Sequence, residues 1–353
     1  MRMSSESGIK YMLQSAHFQQ LSPAINSEKS NSIKTFDFSL VIPVYLNEEN
    51  IPDLLDAINL LEKKLNGTLE IVFVVDGSPD RSYVLLAEAL SSYPIASQLL
   101  SLSRNFGSFA AIRVGIEVAR GKHVAVIAAD LQEPPELVQS FFDILQRDEA
   151  DVVFGMRTSR EDSFFYRWCS EIFWALYRRF VIPDIPKGGI DIFACNQHVK
   201  EAVLQIAEPN SSLIAQLIWV GFRRKFVPYI RRRREKGKSA WKLGRRFRYM
   251  LDSLFSFSDL PVMLLLWVGG SGMAISILLG LVTLFARLAG NIKVPGYTPL
   301  ILVQLFFFSL LLLSQGIIGS YLWRAFENTK KRPLTLVRLH TYFDSEKNIQ
   351  NTR

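Results

Sequence analysis

Phe38-Ser-Leu-Val-Ile-Pro-Val-Tyr45, a segment of helical spacing from Asn50 to Leu65, and then Leu69-Glu-Ile-Val-Phe-Val-Val75 ending at Asp76-Gly77-Ser78 decide the fold. They read as strand, helix and strand. Both strand runs are apolar along their length rather than alternating, the pattern of strands covered on two faces. The unit repeats downstream. A helix is expected from about Asp80, a weaker strand over Ser97–Ser103 and a helix over Asn105–Ala119. A strand over His123–Asp130, a helix over Pro134–Gln146 and a strand over Asp151–Phe154 follow. Strands alternating with helices predict an α/β domain whose parallel sheet is wound by helices, Rossmann-like in layout.

Polar residues stand at the carboxyl ends of these strands: Tyr45, Asp76, Arg104 with Asn105, Asp130 with Gln132, and Arg157. One polar strand end carries no information, because loops are polar. A succession rich in acids, amides and arginine predicts a ligand crevice, since such sheets bind ligands beyond the carboxyl ends of their strands. No G-x-G-x-x-G follows the first strand and no G-x-x-x-x-G-K-[ST] occurs, which disfavours a dinucleotide dehydrogenase and a P-loop NTPase. His123 and His198 have no partner at metal-ligand spacing and read as structural.

The second half is of another kind. Leu260–Ala286 and Val294–Trp323 carry no charge, and each exceeds the ~20 apolar residues that span a bilayer as a helix. Between Arg223 and Arg248 lie 13 Lys/Arg against one acid, Glu235, so the net charge of +8 belongs to one patch. Such a patch suits phosphates of lipid headgroups, nucleotides or nucleic acid, and the adjoining apolar runs make lipid phosphate the nearer anion. Arg324, Lys330, Lys331 and Arg332 follow the second run, whereas the connecting loop holds only Arg287 and Lys293. The positive-inside rule then puts both outer ends in the cytoplasm, with a short external loop around Asn291–Pro299. Gly272, Ser276 and Gly280 form a small-residue face that fits either packing between the two runs or contact with another copy. Gln304 and Gln315 read as interhelical glue. Gly269-Gly-Ser-Gly272, inside the first run, reads as a packing feature. Tyr166–Phe180 and Leu243–Phe257 mix aromatic and basic residues at helical spacing, which fits interface helices or helices packed on the sheet. Cys169 and Cys195 form neither a disulfide framework nor a zinc pattern. Met1–Thr35 reads as a mostly disordered extension without a signal-peptide core.

The strand-end motifs, in order, are Ile42-Pro-Val-Tyr45 with Asn47-Glu-Glu-Asn50, Val75-Asp-Gly-Ser78, Leu102-Ser-Arg-Asn-Phe-Gly107 and Asp130-Leu-Gln-Glu-Pro-Pro-Glu136. Together they resemble family 2 glycosyltransferases with a GT-A fold. More narrowly, the chain resembles the polyprenyl-phosphate glycosyltransferases, among them dolichyl-phosphate mannose synthase and the bacterial bactoprenol glucosyltransferases. Arg231-x-x-Arg234-x-x-Gly237-x-Ser239 is similar to that group's acceptor motif. Ser256-Phe-Ser258, Val294-Pro-Gly-Tyr297 and Ile318-Gly-Ser-Tyr-Leu322 resemble the membrane part of the bacterial members. The likeness runs from about Phe38 to Val337.

The resemblance implies transfer of a sugar, with inversion, from a UDP- or GDP-linked donor to a polyprenyl phosphate at the cytoplasmic leaflet of the plasma membrane. It places Mg²⁺ or Mn²⁺ on Asp130 and Gln132, oxygen donors suited to such ions. It places the donor nucleotide at Pro43, Tyr45, Asn47, Glu48 and Asp76. The acceptor phosphate falls to Arg157, Arg231, Arg234 and Ser239, with Arg167 and Ser170 at looser spacing. Asp191 matches an acid of positional or basic role, and with Asp130 completes the expected catalytic residues. The implied order is a disordered extension (1–36), a catalytic domain (37–225), a basic acceptor and interface segment (226–258), two transmembrane helices (259–325) and a cytoplasmic tail (326–353). A homo-oligomer is compatible, and no nucleic-acid partner is expected. The chain departs from the family pattern at Val75 and Ala128, where acids are usual. That leaves open a second expectation, a weakened relative serving as a membrane scaffold or partner subunit. Taken alone, Asp130-Leu-Gln-Glu-Pro-Pro equally fits a helix start. A processive polysaccharide synthase would need more spans and a Gln-x-x-Arg-Trp motif, which this chain lacks.

Overall fold

A computed structural model describes residues 35–157, 179, 190–208, 211–232, 260–289 and 297–344. Its strands are β1 (Phe36–Val44), β2 (Leu69–Val75), β3 (Ala96–Leu102), β4 (Gly121–Val126), β5 (Val152–Arg157), β6 (Ile190–Asn196), β7 (Arg224–Tyr229) and β8 (Val337–Phe343). Among the described residues they form one 8-stranded sheet in the order β7-β5-β6-β4-β1-β2-β3-β8. The helices are α1 (Ile51–Glu62), α2 (Ser82–Leu90), α3 (Ser108–Val118), α4 (Pro135–Gln146), α5 (Gln197–Leu204), α6 (Leu213–Trp219), α7 (Leu260–Leu288) and α8 (Tyr297–Thr329).

β1 pairs in parallel with β2 and β4, β2 with β3, and β5 with β7. β6 runs antiparallel between β4 and β5, and β8 antiparallel along β3. The sheet is therefore mixed rather than wholly parallel. Neither antiparallel strand has the continuous apolar run that marks the central ones. β6 carries Asp191 and Asn196, and β8 (VRLHTYF) is largely exposed at the sheet edge.

All seven residues of β2 are buried, and alternate residues serve two cores. Ile71, Phe73 and Val75 join Leu54 of α1, Leu86 of α2 and Phe141 of α4 on one face. Val72 and Val74 join Ile112 of α3, Val199 of α5 and Leu217 of α6 on the other. That two-sided cover is why the strands lack a polar face. Gly115 lets α3 lie close on β1, because a Cβ there would stand 2.3 Å from Val41 Cγ1.

At the amino edge a polar network is buried within the sheet. The Glu70 side chain, 0% exposed, lies 2.8 Å from Arg120 Nε. It also accepts from Ser39 Oγ at 2.6 Å and from Gln98 Nε2 at 3.1 Å. Gln98 Oε1 lies 2.9 Å from His340 Nε2 of β8. The carboxylate is thus paired and hydrogen-bonded, the condition under which a buried charge is tolerated.

The expected domain limits shift. β1 begins at Phe36, β7 runs to Tyr229, and residues 337–343, expected within a tail, form the edge strand β8. Among the described residues, Phe306–Thr329 is long and apolar enough to cross a membrane, and Pro261–Gly272 of α7 is a shorter apolar helix. Both long helices expose large apolar side chains, including Trp267, Leu278, Leu312 and Leu322. Gly272 faces the second helix, since a Cβ there would meet Phe307 Cε1 at 3.6 Å. Gln304 and Gln315 are both exposed.

Candidate active site

The carboxyl edge of the sheet holds three interlocked loops. In the loop after β1, Leu46 has φ of 53°, and in the loop after β4, Leu131 has the same value. A leucine in the left-handed region costs about 1–2 kcal/mol, and strain of this kind gathers at functional sites. The first loop is held by its neighbour after β2. Leu46 N–H donates to Ser78 Oγ at 2.8 Å, and Glu48 N–H donates to Asp80 Oδ2 at 3.1 Å. Glu48 Oε2 in return accepts from Arg81 N–H at 2.8 Å. Asp80 also accepts from Ser78 Oγ at 2.6 Å and Ser82 Oγ at 2.8 Å. Burial works to raise the Asp80 pKa, but the hydrogen bonds from Ser78 and Ser82 outweigh it and hold the carboxyl below its ordinary range.

The loops after β2 and β3 are joined through Asp76, which is 3% exposed. Its Oδ1 accepts from Phe106 N–H at 2.7 Å and its Oδ2 from Gly107 N–H at 2.8 Å. Gly77, with φ of 55°, makes the approach possible: a Cβ there would lie 2.3 Å from the Arg104 carbonyl carbon. The Arg104 guanidinium stacks 4.1 Å from the Phe106 ring centre.

Beyond β4, the N–H of Gln132 donates to Asp130 Oδ1 at 3.3 Å, closing a tight turn that keeps the two side chains together. Both are half-buried. Gln132 Oε1 accepts from Arg231 Nη2 at 2.7 Å. Arg231 Nε lies 3.5 Å from Glu133 Oε1, whose side chain is 1% exposed. β7 is what delivers Arg231: it pairs with β5 up to Arg157↔Tyr229 and releases the chain at the carboxyl edge.

Asp130 and Gln132 fit a divalent cation in part. They supply one carboxylate and one amide oxygen on one half-buried turn. Among the described residues no group of three or more His, Cys, Asp and Glu could hold a metal unaided. A hard cation bound through one carboxylate, and completed by the oxygens of a diphosphate, matches that donor set.

Residues 39–205 match the glycosyl transferase family 2 domain. An uncharacterized glycosyltransferase of Synechocystis sp. is 33% identical over 304 residues, spanning 86% of this chain and 95% of its own length. The chain belongs to glycosyl transferase family 2. The bactoprenol glucosyl transferase of Shigella phage SfX is 30% identical over 301 residues, 85% of this chain and 98% of its own length. The prophage bactoprenol glucosyl transferase homolog of Escherichia coli is 28% identical over 301 residues, 85% and 98%. Among solved structures, glucosyl-3-phosphoglycerate synthase from Mycobacterium tuberculosis aligns with a TM-score of 0.42 at 16% identity, over 63% of this chain and 79% of that one. Membership of family 2 makes the sheet with its helix layers a GT-A type fold and the protein a glycosyltransferase.

In this glycosyltransferase, Pro43, Tyr45, Asn47, Glu48, Asp76, Asp130, Gln132, Arg157 and Arg231 all lie at or next to the carboxyl ends of strands. Asn47 and Glu48, expected at the donor base, bond within the loops: Asn47 Nδ2 donates to the Tyr45 carbonyl at 3.1 Å. Asp191 is the second residue of β6 (Ile190–Asn196). Arg167, Ser170, Arg234 and Ser239 lie outside the described residues. Val75, where the family usually has an acid, is 1% exposed in the core beside Val44 and Phe73, so in this chain that side chain is a core residue. Sequence reasoning missed Asp80, Glu133 and Phe106. Asp80 was detectable as the acid two residues beyond Ser78; the role of Glu133 depends on a residue nearly a hundred positions away. A groove of about 620 Å³ lined by His198, Glu201, Gln205 and Trp219 follows the amino edge and holds none of these residues.

Proposed function

We propose that the glycosyltransferase moves a sugar from a nucleotide diphosphate donor to the phosphate of a polyprenol at the cytoplasmic face of the membrane, with inversion at the anomeric carbon. The observation that carries this reading is the order of strands. Chain order at the carboxyl edge is Tyr45, Asp76, Asp130, Arg157, Arg231; sheet order rearranges it. The sequence β7-β5-β6-β4-β1-β2 sets the arginine-bearing strands on one side of β4 and the tyrosine and Asp76 strands on the other. The crevice between β1 and β4 is the switch point, where α/β sheets bind ligands. Base and ribose belong over β1 and β2, at Pro43, Tyr45, Asn47 and Asp76. The diphosphate belongs at β4, and the acceptor phosphate beside Arg157 and Arg231, with Arg234 and Ser239 of the same motif.

When bound at Asp130 and Gln132, Mg²⁺ or Mn²⁺ would neutralise the charge that builds on the departing diphosphate. The residues of the chain do the rest. Arg157 and Arg231 hold the acceptor phosphate, which guanidinium groups grip bidentately. One phosphate oxygen forms a bond to the anomeric carbon from the face opposite the leaving group. The bond from that carbon to the diphosphate oxygen breaks, and the nucleoside diphosphate departs with its electron pair. A phosphate is already anionic near neutral pH, so placement matters more than proton removal. Asp191 then serves position rather than deprotonation.

The membrane setting has its own support. The chain leaves the sheet beyond Tyr229 and re-enters it at Val337, opposite Leu102. Both points are on the carboxyl edge, so α7 and α8 are tethered on the side where the crevice opens. We read the two as a hairpin crossing the bilayer, with the basic residues on the cytoplasmic side, as the positive-inside rule requires. The names of the bactoprenol glucosyl transferase relatives agree with a polyprenyl acceptor. The donor half is tested by thermal shift of the purified chain with UDP and GDP, with and without Mn²⁺. Metal-dependent stabilisation by one nucleotide is expected; none with either would refute the donor crevice.

A further inference from the structure

The chain after β7 is tied to the Asp130 turn by three hydrogen bonds centred on Gln132. Oε1 accepts from Arg231 Nη2 at 2.7 Å. Nε2 donates to the Arg232 carbonyl at 3.3 Å. The Gln132 carbonyl accepts from Arg232 N–H at 2.8 Å. The residue expected to hold the cation is thus the residue that holds the first arginine of the acceptor motif.

We propose that Arg231 and the cation accompanying the donor diphosphate compete for Oε1 of Gln132, so that donor loading hands the Arg231 guanidinium to the acceptor phosphate. The proposal rests on the transfer reading above. An amide oxygen has two lone pairs, but filling both in this way would press a guanidinium and a divalent ion against one atom. The site is half-buried, where water and salt screen such repulsion weakly. Arg231 has a better partner available in a phosphate, which its fork fits bidentately. Glu133, held 3.5 Å from Nε, gives the side chain a pivot from which its Nη end can swing. Glu133 is on this view a positioning residue, and Gln132 a relay between the two substrates. The kinetic consequence is order: donor first, acceptor second, with wasteful acceptor binding suppressed while no donor is present.

The test uses the full-length protein in detergent, with Mn²⁺ and whichever of UDP or GDP binds. Bound Mn²⁺ is read by electron paramagnetic resonance in wild type, Arg231→Ala, Gln132→Ala and the double variant. Losing the competitor should tighten Mn²⁺–nucleotide binding about tenfold in the wild-type background, the size of one charge-assisted hydrogen bond. In the Gln132→Ala background the same change should do nothing. Equal tightening in both backgrounds would mean that Arg231 acts through charge alone, and no tightening would mean no competition; either overturns the proposal. Should Arg231→Ala not fold, phenylglyoxal labelling of wild-type Arg231, read by peptide mass, decides. Labelling should rise on adding Mn²⁺ and nucleotide; constant or reduced labelling overturns the exchange. A null result here with lipid-linked sugar still formed would leave the transfer reading intact, whereas absence of that product strikes the transfer reading itself.

Discussion

The backbone N–H of Ser103 donates to the carbonyl of Leu336 at 2.9 Å. With this bond the chain arriving from α8 docks beside the end of β3 and continues as β8. The bond places the return of the long apolar helix within one residue of Arg104, on the rim of the crevice. The sheet and the helices are therefore joined at the carboxyl edge, the edge to which the proposal above assigns donor and acceptor.

Removing the Asp130 carboxylate should abolish metal-dependent transfer. Asp130→Ala leaves Gln132 as the remaining expected oxygen donor, too little for a hard cation. Activity titrated with Mn²⁺ should stay at background across the range that saturates the wild type. A wild-type rate would place the metal site elsewhere.

Arg231→Ala should impair use of the acceptor far more than binding of the donor. Loss of a bidentate contact made to phosphate corresponds to about 10- to 100-fold in kcat/KM for the lipid. The donor's dissociation constant should not rise. A weakened donor with unchanged acceptor kinetics would reverse the assignment.

The fold was legible where one local pattern sufficed. The apolar runs of β1 and β2 and the helical spacing of α4 appear within a residue or two of their expected limits, while α1 ends three residues and β4 four residues before theirs. β6 and β8 were not legible, since a strand's direction and its place in a sheet depend on partners far along the chain. Asp76 and Asp130 stood out by their place after strands. The Gln132–Arg231 contact did not, because it joins residues separated by 99 positions, and only the parallel pairing of β7 with β5 brings them together. Val75 shows the reverse error: position in a motif suggested a missing site acid, but its side chain points into the core.

Asp80→Asn should loosen the paired loops after β1 and β2. The change removes charge from a carboxylate that accepts from Ser78, Ser82 and Glu48 N–H, a loss of about 1–3 kcal/mol in stability. KM for the donor should rise severalfold while KM for the acceptor is steady. The folded-state pKa of Asp80 is lowered, so its contribution is present above the unfolded value of ~4 and is lost as pH falls below it. Acid unfolding of Asp80→Asn should accordingly be less steep than that of wild type.

The edge strand should respond to mild acid. Burial, and then the charge of Arg120, hold the His340 pKa below its ordinary value of 6.5. The folded state therefore binds this proton less readily than the unfolded one, so stability is full above pH 6.5 and falls as the pH drops below it. His340 contacts Gln98 and stacks on Tyr342, whose ring also faces Arg120. Amide exchange of β8, corrected for intrinsic pH dependence, should accelerate as the pH falls below 6.5, and His340→Gln should flatten that response. The same acceleration in His340→Gln would assign it to another group.

The most direct test is transfer itself. Full-length protein in lipid nanodiscs carrying a polyprenyl phosphate would receive a panel of radiolabelled UDP- and GDP-sugars with Mn²⁺, and the organic phase would be counted and analysed by mass. One donor should yield a mild-acid-labile polyprenyl-phosphate sugar of inverted configuration, lost in Asp130→Ala. Label that stays in the aqueous phase with every donor, despite demonstrated nucleotide binding, would contradict the assignment of a lipid phosphate as the acceptor.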